Sequence, residues 1–220
     1  MRMYYIFGDI HGCFDRLFKL FGKVKETLRD DDKLIFLGDY IDRGKYSFEV
    51  IEYLMNIAEK GNRTYFIRGN HEAMLAEYLA GRDTSGNYLN NGGDATKMSY
   101  SRHFGDFHIP ASHLEFFSSL LDYYEGEDFI AVHAGLDPRV GPLESQSRED
   151  LVWIREKFFK SRHCWNKTVI FGHTPTHQLH GKLGQVYWDD ERNIIGIDTG
   201  AVYGGLLTCL VWPGKRVLQS

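Results

Sequence analysis

The 220-residue sequence reads as an α/β protein with parallel strands at its core. Three features point there. Short runs of β-branched or aromatic residues recur, polar residues do not interrupt them, and amphipathic helical patterns separate the first three. An unbroken apolar run of about four residues suits a strand buried on both faces, the usual state of a parallel strand. Strands alternating with helices imply βαβ crossovers, which join parallel neighbours.

The elements follow in order. Tyr4–Phe7 is the first strand, and Phe14, Leu17, Phe18, Phe21, Val24 and Leu28 then form a helical apolar stripe. Residues 34–37 make the second strand, followed by a helix striped by Phe48, Ile51, Leu54, Met55 and Ala58. Residues 64–67 make the third, followed by a helical run over 71–80. Residues 81–120 depart from this alternation, with Asn90-Asn91-Gly92-Gly93, scattered histidines (His103, His108, His113) and helical segments near 95–104 and 112–120. They read as a cap or side lobe, or as a long surface excursion, within one domain spanning 1–220. Phe129–Val132, Thr168–Phe171 and 194–197 are later strands, and 149–160 is a charged amphipathic helix. From Val186 onward further strands suffice for a second sheet.

Composition excludes several classes. With 26 Lys+Arg against 30 Asp+Glu the net charge is −4, without the basic stripe a nucleic-acid backbone binder carries. At 43% hydrophobic the chain is not broadly disordered. Tyr4–Phe7 is too short for a signal-peptide core, and the longest uncharged stretch, 199–214, is too short to span a bilayer. Cys13, Cys164 and Cys209 form no C-x-x-C and leave an odd count, which suits reduced thiols in a cytoplasm. Cys13 reads as a small buried filler. A monomer with no nucleic-acid or membrane partner is expected.

Each strand ends abruptly in Gly, Asp, Asn or His. The strand ends read Gly8-Asp9-Ile10-His11-Gly12, Gly38-Asp39-Tyr40-Ile41-Asp42-Arg43-Gly44, Arg68-Gly69-Asn70-His71-Glu72, His133-Ala134-Gly135, Gly172-His173-Thr174-Pro175 and Asp198-Thr199-Gly200. Parallel sheets bind ligands outside the carboxyl ends of their strands, so these six signatures converge on one site. Asp9 and His11, two apart in an extended segment, point the same way. Asp39, Asn70, His133 and His173 complete a donor set of oxygen and imidazole without thiolate. That set suits Mn²⁺ foremost, with Fe or Zn²⁺ as alternatives, and not Ca²⁺ or a structural zinc. Six donors exceed one tetrahedral ion, so two ions sharing a carboxylate is the better count. Two ions roughly 3.5–4 Å apart clamp both oxygens of an in-line phosphoryl displacement.

Taken singly, some of these residues have blander roles. Asn70 suits the N-cap of the helix that follows equally well. Asp42-Arg43-Gly44 could be a polar turn, Arg155 a solvated helix position and Arg68 one half of a structural ion pair. Asp30-Asp31-Asp32 reads as a solvated turn, and Asp198-Thr199-Gly200 as a strand-end turn near the site, with Tyr203 lining it.

Together, in order and spacing, the motifs resemble the phosphoprotein phosphatase family of calcineurin-like metallophosphoesterases. The chain's brevity resembles the small bacterial and bacteriophage-type serine/threonine phosphatases. The resemblance implies two mixed sheets packed as a β-sandwich with helices on both sides. It implies that Asp9 and His11 hold one metal, that Asn70, His133 and His173 hold the other, and that Asp39 bridges both. A metal-bridging hydroxide would attack phosphorus directly. His71, oriented and kept cationic by Asp42, would protonate the leaving oxygen. Arg43 and Arg155 would grip phosphoryl oxygens, with Arg68 a weaker candidate.

The substrate expected from the resemblance is a phosphoserine or phosphothreonine protein, extending to phosphotyrosine. Symmetrical diadenosine tetraphosphate hydrolases share a very similar motif set and are the alternative. They stand second because they are usually longer and no segment here is obviously built for two nucleosides. A non-catalytic metal-binding scaffold is a third reading, disfavoured because it has no use for an intact His71–Asp42 pair.

Overall fold

The computed structural model describes residues 2–61 and 63–220. Ten strands form two five-stranded mixed sheets. The first holds β1 (Tyr4–Phe7), β2 (Lys33–Phe36), β3 (Arg63–Phe66), β9 (Thr208–Trp212) and β10 (Arg216–Gln219), in the order β10-β9-β1-β2-β3. β1, β2 and β3 run parallel, while β9 and β10 close one edge antiparallel. The second holds β4 (Tyr123–Glu125), β5 (Phe129–Val132), β6 (Thr168–Phe171), β7 (Tyr187–Asp189) and β8 (Ile194–Gly196), in the order β4-β5-β6-β8-β7. Its centre, β5, β6 and β8, is parallel, with antiparallel strands at both edges.

Strand alternation sorts the apolar residues into three cores. Tyr5, Phe7, Leu34 and Phe36 face α1 (Phe14–Lys25) and α2 (Ser47–Glu59), meeting Leu17, Leu20, Phe21, Val50, Ile51 and Leu54. Their neighbours Ile6 and Ile35 point the opposite way and pack with Phe129, Ala131, Ile170 and Ile195 of the second sheet. On that sheet's outer face, Ile130, Val132, Val169 and Phe171 meet Leu151, Ile154 and Phe158. The layers are therefore helix, sheet, sheet, helix. Runs apolar at every position follow from strands with packed layers on both sides.

Several expectations change in detail. Phe18 is 57% exposed, because the buried stripe of α1 is Leu17, Leu20, Phe21 and Val24, and position 18 falls beside it. Asp32 is buried, accepting the Met3 and Arg29 amides, so it braces its turn instead of being solvated. The helix expected over 149–160 is broken. The Leu151 carbonyl accepts the Ala134 amide at 2.9 Å, not that of Arg155, and Ile154 turns extended (φ −57°, ψ 141°).

α3 (Asn70–Leu79) leaves β3. Residues 81–120 then supply a tight turn, Leu89–Gly93, kinked at the left-handed Gly92 (φ 97°), followed by α4 (Asp94–Phe104) and α5 (Ala111–Ser118). They lie in the helical layer of the first sheet, where Phe48 of α2 meets the Tyr100 ring edge-on at 5.4 Å and donates its amide to Ser99 Oγ. α6 (Arg148–Trp153) belongs to the opposite layer. No helix among the described residues is long and apolar enough to cross a membrane.

Two glycines test this packing with opposite signs. Gly8, just past β1, lies against the backbone after β8, where an added Cβ would overlap the Ile197 carbonyl oxygen. Gly8→Ala should cost about 1–3 kcal/mol. Gly22 is exposed in α1 with nothing within 4 Å of an added Cβ, and Gly22→Ala should stabilise by about 1 kcal/mol. Urea unfolding measures both, and a neutral Gly8→Ala would contradict the close approach of the two sheets there.

Candidate functional site

The polar signatures after β1, β2, β3, β5, β6 and β8 meet at one end of the two sheets. Asp9, His11, Asp39, Asp42, Asn70, His71, His133, His173 and Asp198 are all buried there. Seven non-glycine residues have positive φ among those described, and five belong to this site: His11, Asp39, Asp42, Arg43 and His173. Left-handed backbone costs about 1–2 kcal/mol per residue, so its concentration here marks turns over-determined by their surroundings.

Amide hydrogen bonds hold those turns. The Ile10 and His11 amides donate to the Asp39 carbonyl at 3.1 and 2.8 Å, hanging the β1 loop on the β2 loop. The Glu72 carboxylate, on the first turn of α3, accepts the amides of Asp39 (2.9 Å), Tyr40 (2.8 Å) and Gly69 (3.0 Å). Burial and the Asp39 charge push the Glu72 carboxyl up to about 7, against the pull of its amide donors. The sequence reading gave Glu72 no role. Its signal was a Glu in the first turn of a helix after a glycine, the place where a side chain reaches back to the helix start.

Asp39 is the shared centre. Its Oδ2 lies 3.3 Å from His11 Nε2 and 3.9 Å from His71 Nε2, and its Oδ1 lies 3.3 Å from His133 Nε2. Two clusters with metal-ligand spacing result, His11–Asp39–His71 and Asp39–His133–His173. The Asn70 side-chain oxygen joins the second, 3.0 Å from His133 Nε2 and 2.9 Å from His173 Nδ1. His11 and His133 each turn Nδ1 to a backbone carbonyl, Ile41 at 2.9 Å and Leu37 at 2.8 Å, which leaves Nε2 facing Asp39. Such outer bonds orient metal-binding imidazoles. Burial opposes the Asp39 charge, yet the surrounding imidazoles, His133 and His71 foremost, hold its carboxyl well below the usual range. Burial drives His173 and His133 down and His11 to about 3, the direction that favours the neutral imidazole a metal ligand needs.

His173 Nε2 and His71 Nε2 are buried without a hydrogen-bond partner. The orphaned His173 nitrogen, with His11, His133 and Asn70 around the shared Asp39 carboxylate, fits divalent cations, and the orphaned His71 nitrogen is left to face a substrate. The first cluster takes in His71, the expected proton donor, whose Nε2 lies 3.9 Å from Asp39, while Asp9, the expected ligand, lies against the His173 backbone. The Asp9 carboxylate accepts the His173 amide with both oxygens, at 3.2 and 3.0 Å; burial, then the Asp198 and Asp39 charges, raise its pKa well above the usual value, and a cation beside it would favour the charged form.

His71 Nδ1 sits 2.7 Å from Asp42 Oδ2, and both residues are fully buried. Burial opposes a charge on His71, but Asp39 and Asp42 outweigh it and raise its pKa. Arg43 lies 2.7 Å from His11 Nε2 and 5.6 Å from the Tyr203 ring. Arg155 donates to Thr174 Oγ1 at 2.9 Å, and the break after α6 places it beside the His173 loop. Arg68 is engaged elsewhere, with the Leu120 carbonyl (3.3 Å) and, at 3.9 Å, Asp122. Trp153, which the sequence reading did not single out, stands edge-on to His173 at 5.7 Å.

Chains of known kind carry the same architecture. Over 94–98% of this chain and 89–91% of their own lengths, proteins of Halalkalibacterium halodurans (25% identical), Bacillus velezensis (27%) and Bacillus subtilis (28%) align with it, each named an asymmetrical bis(5'-nucleosyl)-tetraphosphatase, PrpE. A solved chain provisionally assigned as a diadenosine tetraphosphatase superposes with a TM-score of 0.75 at 24% identity, covering 100% of this chain and 93% of that one. A protein serine/threonine phosphatase of Saccharomyces cerevisiae reaches 0.59 at 19% identity, covering 100% and 79%. At these identities both carry the fold alone.

The expected phosphoserine/phosphothreonine protein phosphatase is therefore corrected: the near-full-length curated relatives are tetraphosphatases. The motifs misled because their residues address ions and a phosphoryl group, and none addresses what the phosphorus is attached to. The length objection, raised against the symmetrical hydrolases, does not apply to these relatives, which are named asymmetrical and about nine-tenths of whose length the chain spans. The calcineurin-like phosphoesterase family model matches residues 4–204, and the chain belongs to that family.

Proposed function

We propose that this chain is a metal-dependent hydrolase of dinucleoside tetraphosphates that cuts the polyphosphate off-centre, releasing a nucleoside triphosphate and a nucleoside monophosphate. The observation that carries the reaction class is one buried carboxylate, Asp39, with His11 and His71 on one side and His133 and His173 on the other, His71 being paired in turn with Asp42. The near-full-length similarity to asymmetrical tetraphosphatases supports the substrate.

In this reading His11, Asp39 and Asp9 would hold one ion, and Asp39, Asn70, His133 and His173 would hold the other, Mn²⁺ being the first choice. Bound divalent ions neutralise phosphoryl charge and bring the pKa of water down to about 7. Arg43 and Arg155 bind non-bridging phosphate oxygens, supplying the fixed positive charge a phosphoryl-transfer transition state needs. His71 holds its Nδ1 proton on Asp42 and donates from Nε2 to the departing phosphate oxygen. Trp153, edge-on to His173, and Tyr203, beside Arg43, offer two aromatic faces in unlike surroundings, which suits a substrate held off-centre.

Incubation of the Mn²⁺-loaded protein with diadenosine tetraphosphate, followed by chromatography, tests the proposal. Equimolar ATP and AMP are expected. ADP as the sole product would mean a symmetrical cut, and no hydrolysis would remove the substrate assignment.

A further inference from the structure

The excursion over residues 81–120 enters the site through two hydroxyl groups. Tyr88 Oη donates to Asp42 Oδ1 at 3.0 Å, and Thr96 Oγ1 donates to the same oxygen at 2.6 Å. The other carboxylate oxygen, Oδ2, faces His71 Nδ1 at 2.7 Å. Thr96 Oγ1 also accepts the Asp42 amide at 2.9 Å and lies 2.9 Å from Ser47 Oγ, so one hydroxyl bridges the backbone and the side chain of the same residue. Asp42, Tyr88, Thr96, Ser47 and His71 are all fully buried. The next residue is held as well, the Arg43 amide donating to the Gly92 carbonyl at 3.1 Å.

We propose that Tyr88 and Thr96 are positioning residues that fix the Asp42 carboxylate, and through it the His71 ring, in the orientation from which His71 donates to the leaving group. The excursion is then an arm bracing the Asp42–Arg43 turn. This inference rests on the role given to His71 and Asp42 above.

The geometry requires such an arm. Asp42 (φ 70°) and Arg43 (φ 66°) are consecutive left-handed residues without a glycine between them, and a turn so disfavoured relaxes unless outside partners hold it. Both carboxylate oxygens are occupied, which leaves the group no second rotamer with its hydrogen bonds intact. Tyr88 is itself locked: its amide is capped by Asp83 Oδ2 at 2.8 Å, and its ring packs on Tyr78 of α3 at 5.1 Å. Gly93 leaves room for that ring, since a Cβ there would overlap it. The same arm thus touches Asp42 and the helix carrying His71. Burial, then the Asp42 charge, raise the Tyr88 phenol well above its ordinary value, keeping it a donor.

The test uses the full chain loaded with Zn²⁺ for proton NMR and with Mn²⁺ for kinetics on diadenosine tetraphosphate. The His71 Nδ1 proton on Asp42 should give a far-downfield resonance, assigned by its loss in Asp42→Asn. Tyr88→Phe and Thr96→Val should each shift or broaden it and lower kcat about tenfold with KM unchanged, the scale of one hydrogen bond to a charged group. Thr96→Ser should restore both readings. In an Asp42→Asn background neither variant should cost anything more. Tyr100→Phe serves as control, because it removes a buried hydroxyl of the same arm that bonds His113 at 2.7 Å instead of Asp42. An unmoved resonance with unchanged kcat, or losses equally large in the Asp42→Asn background, would overturn the clamp. If the protein leaves diadenosine tetraphosphate intact while the resonance responds as described, the substrate reading fails and the clamp stands.

Discussion

The Glu72 carboxylate accepts three amides, from Asp39, Tyr40 and Gly69, and in doing so pins the end of β2 to the end of β3. Most of the site descends from that tie. With the Asp39 amide held, its carbonyl is placed to receive the Ile10 and His11 amides, and the β1 loop follows. With Gly69 held, α3 starts where Asn70 can face His133 and His173, and where the His71 amide reaches Asp39 Oδ1 at 3.1 Å. A buried amide that loses its acceptor costs about 1–3 kcal/mol, so three of them make Glu72 as structural as any apolar core residue. It arranges the chemistry without standing at its centre.

Electrostatics set the second constraint. Asp9, Asp39, Asp42, Glu72 and Asp198 are five buried carboxylates at one end of the molecule. Unpaired charges in such surroundings are expensive, and imidazoles and two guanidinium groups offset only part of that cost. Divalent cations would supply the rest. The net charge of −4 therefore describes the outer surface and says little about the pocket, where Arg43, Arg155 and cations held by the two clusters would suit a phosphoester.

Much of the architecture was legible because its signals are local. Strands packed on both faces have no polar positions, so β1, β5 and β6 stand out as unbroken runs, and the donors follow immediately after them. What escaped depends on distance along the chain. Tyr88 and Thr96 lie 46 and 54 residues from Asp42, and no spacing rule connects a hydroxyl to a carboxylate across that gap. Arg155 read as part of a continuous helix, yet a carbonyl diverted to the β5 loop ends that helix at Trp153, about two turns early. The substrate escaped for a chemical reason: Asp39, His71 and Arg43 would serve a phosphoprotein and a dinucleotide alike, and discrimination would fall to walls such as Trp153 and Tyr203, whose sequence signal is a lone aromatic.

The central claim is that one carboxylate, Asp39, serves two ions. Calorimetric titration of the metal-stripped protein with Mn²⁺, alongside Asp39→Asn, measures this directly. The account predicts two ions per chain in the natural sequence and weakened binding of both in the variant, because each cluster loses the same charged member. A single ion per chain, or a variant that still binds two with unchanged affinity, would contradict it.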